Sequence, residues 1–199
     1  LSGTLSEAYA RAGVSLQLQQ GELDTATVRR MAPPLRTLLG DGATAIAHAV
    51  PPFTVAEGPL TPDHIVYAKS FPIHEPVTTD TIETFTRQRG YAPKVVVSPG
   101  KAILCVSSTL KDAKSAAVAA VDAGRVLQLT AAFGGPKYLD ETQYGFIENW
   151  EVEAYRQKIS SAGGASGRLA SRICIVTGAA QGFGLGIARG LAAAGGIVG

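Results

Sequence analysis

Two cysteines, one methionine, one tryptophan and three histidines among 199 residues leave few side chains for thiol, redox or metal chemistry. Cys105 and Cys174 both lie in apolar, strand-like runs. That placement excludes a disulfide scaffold and points to buried free thiols. A catalytic zinc wants three protein ligands, often at short or helical spacing. His48, His64 and His74 are not so spaced, and no residue of the chain is assigned a metal. Charge of one sign is lacking too, with 18 Lys+Arg against 16 Asp+Glu and a net charge of +2. No basic stripe interleaves with aromatics, so nucleic acid is not an expected partner. No signal-peptide pattern or apolar stretch of about 18 residues is visible, so no membrane partner is expected and the expected compartment is the cytoplasm. Finally, no tyrosine follows Tyr155.

Glycine and apolar residues are plentiful: 23 glycines, 46% hydrophobic residues and a mean hydropathy of +0.15. This is enough for a core, and the length suggests one or two domains. The stretch that organises the chain is its last. A β-branched run over 173–176 leads into Thr177-Gly178-Ala179-Ala180-Gln181-Gly182-Phe183-Gly184. A helix is predicted over 185–194, stopped by Gly195 and Gly196, and a second strand starts at Ile197. Strand, glycine turn, helix, strand is the opening of a dinucleotide-binding βαβ unit. One glycine allows the tight turn, a second lets backbone N–H groups approach a pyrophosphate, and a third lets helix and sheet pack closely. The helix N-terminus then presents free N–H groups and a partial positive charge. The plain alternative is an ordinary strand-to-helix turn.

The spacing Thr-Gly-x-x-x-Gly-x-Gly resembles the short-chain dehydrogenase/reductase family. The resemblance implies NAD or NADP binding at Thr177, Gly178, Gln181, Gly182, Phe183 and Gly184. A doubly wound domain needs about six strands, and an acidic residue about 20 positions past the turn grips the ribose. Here that position falls at or beyond Gly199, and the family's Tyr-x-x-x-Lys has no tyrosine to supply it. The expectation is an internal fragment with no catalytic residue of its own.

Upstream, a helix is expected within residues 1–20, capped by Thr4 with Glu7 three positions on and an apolar face of Leu5, Ala8, Ala12 and Leu16. One or two helices follow over 22–39, interrupted at Pro33-Pro34. A strand-like run over 44–50 breaks at Pro51-Pro52. Thr61 caps a short helix with Pro62 first, residues 71–73 are extended, and 79–89 form a helix ended by Gly90. Strands over 95–97 and 102–106 pair as a hairpin. Ser108 or Thr109 caps a helix over 110–132, stopped by Gly134-Gly135-Pro136. Residues 142–158 read as helix, and the glycine- and serine-rich 160–167 as a linker.

Residues 1–8 match residues 106–113 at a constant offset, with Ser, Thr, Leu and Ala identical. Each copy reads as a strand end running into a capped helix. The second copy, with its hairpin before and Gly-Gly-Pro after, resembles the last strand–helix part of a class II aldolase/adducin domain. In that family a His-Gly pair before the strand supplies a zinc ligand; here Ser98-Pro99-Gly100-Lys101 stands instead. Thr61-Pro62-Asp63-His64, Phe133-Gly134-Gly135-Pro136 and Asn149-Trp150-Glu151-Val152-Glu153, followed by the linker and glycine turn, resemble bifunctional class II aldolase/short-chain dehydrogenase proteins of the rhamnulose-phosphate aldolase type.

The predicted fold is therefore α/β: a degenerate class II aldolase-like segment over 1–160, a linker over 161–167, and the first βαβ of a Rossmann fold over 168–199. The resemblance implies part of an NAD(P)-dependent oxidoreductase fused to a sugar-phosphate aldolase-like region, with a carbohydrate substrate in the parent and a homo-oligomeric state. The alternative is a non-catalytic assembly or spacer module; a third is a small phosphate-binding protein. His48 reads as a core or half-buried residue, His64 as a structural cap before a catalyst, and His74 as surface. Glu148 and Glu151 share a helical face that reads as solvated or docking. Tyr155 and Lys158 have the wrong spacing for the dehydrogenase pair.

Overall fold

A computed structural model describes residues 2–40, 45–149 and 167–199. Among these the chain is mixed α/β. In order it forms α1 (Ser2–Arg11), α2 (Thr25–Leu38), β1 (Ile46–Val50), α3 (Pro62–Ala68), β2 (Ile73–His74), α4 (Thr79–Arg89), β3 (Val95–Ser98), β4 (Ala102–Ser107), α5 (Leu110–Thr130), α6 (Glu141–Glu148), β5 (Ile173–Cys174), α7 (Gly182–Ala193) and β6 (Ile197–Val198).

Four strands make one mixed sheet in the order β1-β4-β3-β2. β4 runs antiparallel to β1 and β3, and β2 lies parallel to β3. The runs Val95-Val96-Val97 and Ala102-Ile103-Leu104-Cys105 are continuously apolar because both faces of the sheet are covered. Successive side chains point to opposite faces. Val96, Ala102, Leu104 and Val106 join Met31 and Leu35 of α2 and Ile82 of α4. Val95, Val97, Ile103 and Cys105 meet Ala68 at the end of α3 and Ala116, Ala117 and Ala120 of α5. Alanines on that face of α5 let it lie close. At Gly124 a Cβ would stand 2.6 Å from the Phe53 ring.

Local signals set most boundaries. Thr61 caps α3 and accepts from the His64 N–H at 3.1 Å, with Pro62 in the first turn. Thr109 caps α5 and accepts from the Asp112 N–H at 3.1 Å. α4 ends at left-handed Gly90. The hairpin of β3 and β4 forms as its sequence implies, with Ser98 opposite Ala102.

Three expectations are corrected. α2 passes through Pro33 and Pro34 rather than stopping. Each proline removes a helical hydrogen bond, but Arg29 and Arg30, whose carbonyls lose those bonds, are exposed to water. The buried stripe Thr27, Met31 and Leu35 meanwhile continues across them. α1 starts at Ser2, so Thr4 lies within the helix rather than capping it; Leu5 and Leu16 are exposed, and Leu16 is beyond the helix end. The first half of the proposed repeat is thus helical where the second is strand and cap, and the match carries no structural equivalence. α5 with its following 3-10 turn, Leu110–Phe133, is by length and composition apolar enough to cross a membrane, although no such stretch was apparent from the sequence. Its alanine run explains this, and its buried face is the one packed on the sheet.

β5 and β6 form a separate parallel pair bridged by α7. No described residue of 167–199 is buried. Ile173, Ile175 and Ile187 are 50%, 83% and 57% exposed, leaving an apolar surface on this unit. Residues 41–44 and the greater part of the linker lie outside the described residues, as does the predicted helix beyond Asn149.

Leu104 is fully buried at the centre of the sheet. Leu104→Ala is expected to cost about 2–5 kcal/mol, read as a lower urea midpoint. Val118→Ala, on the exposed side of α5, should stay within about 0.5 kcal/mol of the parent.

Candidate functional site

The glycine turn is built from backbone constraints. β6 pairs with β5 through the Ile197 N–H donating to Arg172 O at 2.7 Å and the Gly199 N–H donating to Cys174 O at 2.9 Å. The chain leaves β5, turns at Gly178 with φ +66° and enters α7 at Gly182 with φ +60°, both left-handed values that favour glycine. Gly184, two residues into α7, lies so close to the turn that a Cβ there would overlap the Gly178 carbonyl oxygen. Gln181 caps α7 with extended backbone and no side-chain hydrogen bond, so no side chain competes for the N–H groups of the first turn.

The six predicted residues lie on this turn and on the first residues of α7. Thr177, Gly178, Gln181, Gly182 and Phe183 are exposed, and Gly184 is half-buried. The Phe183 side chain is 95% exposed, so Phe183 contributes its backbone here. α7 begins three residues before the predicted start at position 185. At Gly178 and Gly182 a Cβ would meet nothing within 4 Å, whereas at Gly184 its place is taken by the Gly178 carbonyl; the terminus of α7 carries no side-chain cap.

No family model matches the chain, and neither does any curated protein or solved structure.

The three histidines sit on separate elements, and among the described residues no group of His, Cys, Asp or Glu gathers as a metal site. His48, in β1 opposite Cys105, is half-buried; burial, then the nearby Lys114, holds its pKa below the usual histidine value. His74 is exposed and pairs with Glu57 at 3.0 Å. His64 is buried in α3, where burial drives its pKa down to about 4. Its Nδ1 accepts from the Leu60 N–H at 3.4 Å, which requires the neutral ring. The cysteines differ: Cys105 is fully buried, with its thiol pushed up to about 12 by burial, whereas Cys174 is only half-buried.

The turn Ser98-Pro99-Gly100-Lys101 is tied into the fold. Ser98 is fully buried and donates its hydroxyl to Glu75, which also pairs with Arg30 at 3.2 Å. The Lys101 carbonyl accepts from the Asp24 N–H at the start of α2. Trp150, Glu151, Glu153, Tyr155 and Lys158 lie outside the described residues.

One polar cluster escaped the sequence reading. Ser70, fully buried, donates to Glu148 Oε1 at 2.5 Å. The Tyr91 hydroxyl is buried beside them without a hydrogen bond of good geometry. Burial first, then the Glu148 charge, drives the Tyr91 pKa well above the usual tyrosine value. Burial, then the Lys69 charge, lowers the Lys94 pKa. Ser70, Tyr91 and Glu148 are far apart in sequence and carry no motif; of them the sequence singles out only Glu148, on a face that reads as solvated or docking.

His64 should make stability depend on pH in a defined window. Its folded pKa of about 4 lies below the 6.5 of an unperturbed histidine. The unfolded chain therefore binds the extra proton first. Stability should be constant above pH 6.5 and fall by about 3 kcal/mol as pH drops from 6.5 to 4. His64→Gln should flatten that segment of a urea-denaturation series relative to the parent.

Proposed function

We propose that residues 168–199 are the dinucleotide-binding start of a short-chain dehydrogenase/reductase Rossmann fold, and that the chain is part of an NAD(P)-dependent oxidoreductase fused to a class II aldolase-like region. The observation that carries this reading is the close approach of Gly184 to Gly178 beside an uncapped helix terminus. Together with the left-handed backbone at Gly178 and Gly182 it accounts for all three glycines. The backbone N–H groups of Gly182, Phe183 and Gly184 would hold the pyrophosphate, with Thr177, Gly178 and Gln181 lining the turn. When bound, NAD or NADP supplies hydride exchange with an alcohol or carbonyl. The residues of this chain bind and orient it, and none is assigned the chemical step. A carbohydrate substrate, a cytoplasmic setting and a homo-oligomeric parent belong to the same reading.

The parallel β5–α7–β6 order supports it, as does the apolar surface of Ile173, Ile175 and Ile187, which further strands and helices of a doubly wound sheet would cover. For residues 1–160 the second reading, a non-catalytic assembly or spacer module, is favoured by the Ser98-to-Lys101 turn. Where a metal-binding relative would place histidine, these residues brace Glu75 and α2.

Titration of the labelled chain with NAD and NADP, followed by amide chemical shifts, tests the first reading. Saturable shifts are expected at Gly178 and at residues 182–184, weak in affinity, and inorganic phosphate should reproduce them only partly. Gly184→Val should reduce dinucleotide affinity at least tenfold while leaving the amides of β4 unshifted. A folded chain that gives no saturable response to millimolar NAD or NADP would sink the proposal. For the assembly reading, light scattering should show a species larger than a monomer.

A further inference from the structure

The Ser70 cluster shares no residue with the glycine turn and uses a different chemistry. α3 ends at Lys69, a non-glycine residue held at φ +66°. A left-handed backbone at a bulky residue is costly and marks a position that its surroundings enforce. Its effect is to present Ser70, fully buried, as a hydroxyl donor on the inner side of α6. The Ser70–Glu148 hydrogen bond, 2.5 Å long, spans 78 positions of sequence. The Tyr91 hydroxyl lies next to it, buried against Ser70 and Glu148 without a hydrogen bond of good geometry to either. The Lys69 ammonium stands 5.0 Å from the Tyr91 ring centroid. Lys94, half-buried, donates weakly to the Tyr67 carbonyl at 3.5 Å and feels the charges of Lys69 and Asp112.

Two hydroxyls thus meet one carboxylate, with an ammonium group over the face of the Tyr91 ring. One hydroxyl engages a carboxylate oxygen at the short distance typical of O–H···O⁻ bonds, and the other lies beside the same carboxylate. The anion in place is carried by α6, an eight-residue helix that buries no residue completely. Its holds include the Phe71–Tyr144 edge contact, the Tyr138 ring against Gly58 and the Leu139 N–H donating to Pro59 O. Elements with little buried surface open at low free energy.

We propose that Ser70 and Tyr91, flanked by Lys69, form a carboxylate-binding subsite which Glu148 occupies from within the chain, and that α6 is a strap whose release opens the subsite to a small-molecule carboxylate. A planar monoanion suits two donors, one for each oxygen; a phosphate would leave oxygens unmatched. As a tethered ligand Glu148 acts at a high effective concentration, so a free carboxylate competes poorly with it in the parent chain.

Removing the tethered carboxylate tests this. Glu148→Ala is expected to lower the melting temperature. Sodium acetate should then restore it saturably in the millimolar range, beyond any effect of sodium chloride at equal ionic strength, and should shift the amide signals of Ser70 and Tyr91. The parent should show no acetate response over that range, and Ser70→Ala/Glu148→Ala should lose it. Hydrogen exchange of α6 amides should quicken about tenfold in Glu148→Ala while β4 amides stay unchanged. If Glu148→Ala does not fold, Glu148→Gln keeps the volume and should still quicken α6 exchange several-fold. Acetate acting no better than chloride on folded Glu148→Ala, an acetate response that survives Ser70→Ala, or unchanged α6 exchange in Glu148→Gln would each overturn the proposal.

Discussion

Strand β4 has to bury both of its faces, and the larger part of the molecule is arranged to satisfy it. Ile103, Leu104 and Cys105 are fully buried, with neighbouring strands on both edges. Leu104 needs the α2 side of the sheet and Ile103 the α5 side. A two-layer arrangement would leave one of these rows in water, at about 25 cal/mol per Å² of apolar surface. The same demand carries α2 through two prolines, because the stripe Thr27, Met31 and Leu35 keeps its place over the sheet only if the helix continues. It also explains the alanines of α5, which bring that helix close to the opposite face, while Gly124 leaves room for the Phe53 ring.

Polar groups drawn into this frame are the ones with unusual chemistry. Ser98, Ser70 and His64 are buried among apolar neighbours. Ser98 has Glu75, Ser70 has Glu148, and His64 takes an N–H from Leu60. The first two bonds tie distant segments together and the third closes the turn into α3; an unpaired polar group there would cost more than a paired one contributes. The β5–α7–β6 unit contrasts with this. It buries nothing fully, and its shape rests on backbone geometry at Gly178, Gly182 and Gly184.

That contrast also explains what could be read in advance. The glycine turn was legible because its geometry depends on residues a few positions apart, as were the Thr61 and Thr109 caps, the Gly90 stop and the hairpin at Ser98. The Thr4 cap failed because a capping pattern competes with helix formation by the residues before it, and Ser2 and Gly3 joined the helix. The matched octapeptides failed with it: residues 106 and 107 end β4, which is paired on both edges, whereas the chain from Ser2 is helix. The Ser70, Tyr91 and Glu148 cluster had no local signature, since it requires α6 to fold back onto the end of α3.

By itself, then, the sequence determined the alternation of strands and helices, most of their ends and the glycine turn, because caps, turn residues and apolar runs act over a few residues. Tertiary structure decided the strand order β1-β4-β3-β2, the passage of α2 across Pro33 and Pro34, and the meeting of Ser70 with Glu148. These outcomes depend on which apolar faces find each other across long stretches of chain, and the free energy of burying them exceeds the local preferences they override.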